Sequence, residues 1–197
     1  MDKLTACAAA FEKLCHCEYD IQLGRKGIKE HIRLVFKPEH FHHLAGLHKL
    51  SDIYELRHLK RTSIWEDVLS GKLTDAHLNK SSLYWAIESR IDCLTLLETM
   101  LDSDNLYFRY NEMSSSSRIS AKYLVVLNNE QDLVYLFLDK ITDEQYFCRS
   151  IFPKGDNDYT ERQTRLTLLR KEKRLLPSGE SILLYEHEAD KVLPIHT

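Results

Sequence analysis

The apolar residues of this chain change their spacing along its length, and that change decides the fold class. From residue 2 to residue 16 they recur at helical intervals, with Leu4, Cys7, Ala8, Phe11 and Leu14 on one stripe and Asp2 placed to cap the start. The period then drops to two. Tyr19, Ile21 and Leu23 alternate, Gly24-Arg25-Lys26-Gly27 supplies a turn, and Ile28, Ile32, Leu34 and Phe36 resume the alternation. This predicts a β-hairpin with Lys29, His31 and Arg33 on the opposite face of its second strand. Helical spacing returns at Pro38, a residue suited to a first helical turn. Short helical pieces are expected at Ile64–Leu69 and Asp75–Asn79, and a longer helix over Ser82–Leu101. After residue 105 the apolar runs are short and separated by turns: LYFRY, KYLVVL, LVYLFL, QYFCRSIF, TRLTLLRKEK and SILLYEHE, with a polar tip at Ser114–Ser117. Short turns between such runs favour an antiparallel meander.

The predicted class is therefore α+β, with N-terminal helices packed on a largely antiparallel sheet and an additional helical segment inserted in the middle. One domain is expected over 1–197, divided into an N-terminal helix (1–17), a hairpin (18–37), a helical segment (38–102) and a sheet (105–188). The length of 197 residues, with 43% hydrophobic and 29% charged residues, suits a single packed core and excludes a disordered chain. No apolar run reaches the length of a membrane span. The N-terminus reads as a helix, and five irregularly spaced cysteines read as reduced thiols, so a cytoplasmic protein is expected. Cys15-His16-Cys17 lacks both the spacing and the second pair of a zinc site.

Charge is uneven. The net charge is −3, yet residues 22–61 hold nine Lys/Arg against four Asp/Glu, and residues 160–174 hold six against two. Residues 130–158 are acidic. The basic segments suit a phosphate backbone or, more plainly, solvated faces. Ten histidines are present, seven of them between His31 and His77. In PEHFHHLAGLHKL a continuous helical wheel puts Phe41, Leu44, Ala45 and His48 on one arc, His43 at its edge and His42 facing away. On that wheel His48 reads as a packing residue and His43 as the one able to face a cleft.

Phosphate-loop, dinucleotide-binding, zinc-protease and serine-hydrolase motifs are absent. Clustered histidines, basic strands and tyrosines instead suit RNA cleavage without metal or cofactor. There the 2′-hydroxyl attacks phosphorus while imidazoles move protons and cations bear the developing charge.

FHHLAGLHKLSDI (41–53), following the hairpin IQLGRKGIKEHIRLVF, resembles the phage-associated Barnase–EndoU–Colicin–RelE-like nucleases, in particular the group whose helix reads roughly F-x-H-L-x-G-L. YLFLD (135–139), SIFPKGDNDYTERQ (150–163) and TLLRKEK (167–173) resemble the same group in the same order. The resemblance implies an RNA-cutting protein of phage or mobile-element origin, with helices against an antiparallel sheet. It aligns His43 with the motif histidine, Ser150, Phe152 and Tyr159 with an S-x-F-P…Y block, and Arg170 and Lys171 with an L-L-x-K-E block. From these blocks and the basic strands, His43 is expected as general base or acid, with His42 or His31 as its partner. Arg33, Arg149 and Lys171 are expected on phosphate, and Tyr159 on a base or as a hydrogen-bond donor. Arg25, Lys29, Lys49, Ser150, Arg165 and Arg170 are expected to bind RNA. The rival reading is a catalytically inactive phage-encoded protein that binds and inhibits a host defence complex or another nucleoprotein. A third is a toxin held by an antitoxin or immunity protein.

Overall fold

A computed structural model describes residues 2–114, 119–129 and 132–187. Most of the polar tip at Ser114–Ser117, the last residue of the expected final strand and His196 fall outside these. The first helix, α1 (Lys3–Leu14), begins where Asp2 accepts the Thr5 backbone N–H, and it buries the stripe Leu4, Cys7, Ala8, Phe11 and Leu14. The hairpin follows as β1 (Cys17–Arg25) and β2 (Ile28–Val35). A helical segment comes next: α2 (Pro38–Leu44), α3 (Tyr54–His58), α4 (Arg61–Leu69), α5 (Asp75–Leu78), α6 (Glu88–Thr95) and α7 (Leu97–Asp102). The remaining strands are β3 (Leu106–Arg109), β4 (Tyr123–Asn129), β5 (Asp132–Lys140), β6 (Gln145–Pro153), β7 (Thr164–Leu175) and β8 (Ser181–Glu186). Among the described residues no helix is long and apolar enough to cross a membrane.

The α+β class holds, but the sheet is closed. Its order is β1-β2-β6-β5-β4-β3-β7, and β7 pairs back onto β1, so seven strands form a mixed barrel with β8 added on β7. The expectation of a largely antiparallel sheet is corrected at one seam. β2 and β6 run parallel, with Arg33 opposite Gln145 and Leu34 opposite Tyr146. The hairpin offers two open edges, and unpaired edge amides and carbonyls are costly to leave exposed. Here β7 takes one edge and β6 the other. A parallel neighbour needs a long crossover, which the helices and β3–β5 supply.

The helix expected over Ser82–Leu101 is broken. A 3-10 turn at Tyr84–Ala86 precedes α6, and Leu96, with φ −98° and ψ 2°, separates α6 from α7. The apolar stripe runs through the break, so spacing alone does not show it. At the end of α6 the Thr95 hydroxyl donates back to the Ile91 carbonyl at 2.8 Å, a local bond that competes with helical continuation.

Helices and barrel share a core around Phe11, whose ring lies 6.0, 5.8 and 6.0 Å from those of Phe36, Phe41 and Trp65. A second apolar cluster covers the other face of β3–β5, with Phe108, Tyr110, Leu124, Val126, Tyr135 and Phe137 buried and Phe152 and Tyr159 packed against it. Burial on both faces explains why these strands read as continuous apolar runs.

Candidate active site

The site grows from the end of α2. Pro38 opens this short helix, and His42 and His43 lie in its last turn. Gly46 then takes φ 78°, a left-handed conformation that favours glycine and ends the helix. Glycine is also required for space: a Cβ there would meet Arg90 Cδ and Ile87 Cγ2, each at 3.0 Å. The chain turns back through a 3-10 turn at Leu47–Lys49 and lays His48 on His43, with ring centroids 4.2 Å apart and planes 15° from parallel. His42 lies on the buried side, 8% exposed, with its ring 6.1 Å from that of His48.

Two expectations are corrected here. His48 lies at the surface, partly covered by its stack on His43, instead of packed in the core, and His42 is buried instead of facing outward. The reason is Gly46. The helix stops at Leu44, so a 100° wheel carried through to residue 48 assigns the wrong faces.

Strand β6 delivers the other side. Phe137 pairs with Ser150 and Leu138 with Cys148, which leaves Arg149 as the extra residue of a β-bulge. Bulges re-aim side chains, and Arg149 is exposed. Its charge acts on His43. From α6, Arg90 Nη1 donates to Ser150 Oγ at 3.1 Å, and its guanidinium carbon lies 5.1 Å from the centre of the Phe152 ring. Tyr159 packs edge-on against Tyr135, Phe137 and Phe152, at 5.3, 5.5 and 5.5 Å. Lys49 follows His48, and Arg61 opens α4.

The electrostatics are one-sided. Burial lowers the His43 pKa, and Arg149, Arg61, Arg90 and Lys49 lower it further. His48 is pushed down to about 4, first by burial and then by His43, His42, Lys49 and Arg90. Lys49 is lowered by burial and by Arg90. Burial and neighbouring cations or imidazoles are the leading influences on these three groups. The result is a pair of neutral imidazoles among cations that form no ion pair within the described residues. Such a site holds imidazoles able to accept protons and is suited to receive an anion.

His43, Arg149, Lys49, Ser150 and Tyr159, all expected from the sequence, thus fall around one locality, together with His42 beneath it. The other expected residues do not join them. Lys171 is fully buried, and its ammonium donates to the carbonyls of Leu101, at 2.7 Å, and Ser103, and to Asn105 Oδ1 at 3.3 Å. It faces inward because it pairs with Ile21 in the β7–β1 register. Burial lowers its pKa to about 8. His31 binds Asp20 at 2.5 Å. Counting along the parallel β2–β6 register, it lies about six residues, or about 20 Å, from the level of Arg149. Arg33 sits on β2 opposite Gln145, its Nε buried without a hydrogen-bond partner. Arg170 bonds Glu172 and Glu186. Arg25 and Lys29 line a hollow of about 330 Å³ at the hairpin tip, and Arg165 lines an adjoining one of about 490 Å³. These hollows lie at the opposite end of the hairpin from α2. The sequence reading missed Arg90, Arg61 and the role of His48. Arg90 lies within the charged run ESRID and reads there as a solvated face.

A closed mixed barrel capped by helices thus carries, at one end, stacked imidazoles among cations that form no ion pair within the described residues. The chain belongs to the phage-Barnase-EndoU-ColicinE5/D-RelE like nuclease 4 family, whose family model matches residues 3–188. It is thus a member of a nuclease family of the phage type that the FHHLAGL helix resembles. Comparison with curated proteins and with solved structures returned no match.

Proposed function

We propose that this protein is a metal-independent endoribonuclease that cleaves RNA, with tRNA as a candidate substrate, by attack of the 2′-hydroxyl on the adjacent phosphorus. The observation that supports this reading most is the stacked His43–His48 pair under the influence of Arg149, Arg61, Arg90 and Lys49. His43, half-buried and neutral at pH 7, is the general base that takes the 2′-hydroxyl proton. His48 is the partner that the geometry favours over His31, which is held by Asp20, and over the buried His42.

Burial and the surrounding cations disfavour protonation of both rings while the site is empty, and His43 disfavours it further on His48. A phosphodiester brings negative charge and reverses that balance, so one ring takes up a proton when substrate arrives. In the reaction the 2′-oxygen bonds to phosphorus as the bond to the 5′-oxygen breaks. His43 receives one proton and the protonated His48 gives one to the leaving oxygen. The products are a 2′,3′-cyclic phosphate and a 5′-hydroxyl. Arg149 and Lys49 bear the charge that develops on the phosphorus oxygens.

The test is incubation of the protein with total tRNA in excess chelator, followed by analysis of the ends. Cleavage giving cyclic phosphate and 5′-hydroxyl ends is expected, with a loss of about 10²–10⁴-fold in His43→Ala. Intact RNA, or cleavage unchanged by His43→Ala, would overturn the reading.

A further inference from the structure

We propose that Arg90 is the residue that receives the scissile phosphate, held ready for it by Gly46, Ser150 and Phe152. This rests on the reading of the site as phosphate-directed and names a residue that neither the motif helix nor the strand blocks contain. Arg90 is half-buried on α6, and among the described residues it forms no ion pair with any Asp or Glu. Among the described residues its side chain makes one hydrogen bond, from Nη1 to Ser150. Arginine carries five N–H donors in a rigid fork, so most of its donor capacity is uncommitted. A guanidinium left in partial burial without a carboxylate is costly to keep unless a ligand completes it.

Its position is set from three sides. Phe152 lies under the guanidinium at 5.1 Å, Ser150 fixes one nitrogen, and the turn between His43 and His48 closes against its stem at Gly46. A cation held over an aromatic ring keeps its in-plane donors free for an anion. Those donors lie in the locality that acts on His43, His48 and Lys49, since the Arg90 charge is felt by all three. A forked donor on a stiff platform beside two imidazoles suits two phosphate oxygens at once. Gly46, just past the end of α2, thus serves Arg90 as well as the turn.

The test needs no cleavage. Inorganic phosphate is titrated into the protein while the ring protons of the histidines are followed by NMR across pH. In the wild type, phosphate is expected to raise the pKa of His43 and His48. In Arg90→Gln the phosphate affinity is expected to fall at least about tenfold, and the rise to vanish at matched phosphate. Arg90→Lys should restore part of the rise but less of the affinity, because it lacks the fork. Phe152→Leu, which leaves every charge in place, should weaken phosphate in the same direction by a smaller factor. On RNA, Arg90→Gln should lower kcat/KM by about 10²–10³-fold. An Arg90→Gln protein with wild-type circular dichroism and an unchanged phosphate titration would overturn the proposal. If phosphate binds through Arg90 but RNA is not cut, the ribonuclease reading fails while the anion site stands.

Discussion

The histidines carry the account at the scale of residues. His40, His42, His43 and His48 are all held below the ordinary value of 6.5, each chiefly by burial, and His48 reaches about 4. The folded protein therefore keeps them neutral, whereas the unfolded chain takes up protons as pH falls through 6.5. Their contribution to stability is complete above 6.5 and is lost as pH falls toward the folded values. Thermal denaturation between pH 7 and pH 5 should show a falling Tm, flattened in His48→Asn, and a Tm that rises over this window would contradict the assignment. Of the individual side chains, His43, Ser150 and Tyr159 are legible as candidates in the sequence because they sit in recognisable blocks, and Arg149 only as a cation on a basic strand. His48 was hidden by a helical wheel that ignored Gly46. Arg90 was hidden because a charge on a helix face says nothing of what a strand distant in sequence puts beside it.

At the scale of elements, two irregularities make the site: the helix stop at Gly46 and the bulge at Arg149. Neither shows in hydrophobic spacing, which reports period and not its interruptions. Register also separates charges that look alike in sequence. In R-K-E-K of β7, Lys171 and Lys173 face inward, opposite Ile21 and Tyr19, while Arg170 and Glu172 pair on the other face. Lys173 binds Glu98 at 2.7 Å and Asp102 at 2.9 Å, and Lys171 holds the carbonyls at the end of α7. A cation there also offsets the helix dipole. Lys171→Met leaves those carbonyls without a donor and should cost about 2–4 kcal/mol of unfolding free energy in urea. Cleavage per folded molecule should be unchanged, and a large loss of kcat/KM in stable Lys171→Met protein would show that Lys171 takes part in the chemistry after all.

At the scale of the whole molecule, barrel closure decides which segments share an end. The first strand pairs with the seventh, and the second runs beside the sixth, so the end of β2, helix α2 and the β6 bulge meet. Local turns made the strands legible, but the long-range pairings that close the ring left no trace in spacing. The same closure corrects the charge map. Residues 130–158 are acidic in sum, yet they contribute Arg149 and Ser150 to the cationic site, while the basic hairpin tip with Arg25 and Lys29 lies at the other end. In the proposed reaction the substrate's own 2′-hydroxyl is the nucleophile. The most direct measurement offers chelator-treated protein an oligonucleotide of deoxynucleotides with one embedded ribonucleotide, next to its all-deoxy twin. Cleavage only after the ribonucleotide, leaving a 2′,3′-cyclic phosphate, is predicted. Cutting of the all-deoxy strand, or cutting that returns only when a divalent metal is restored, would contradict it.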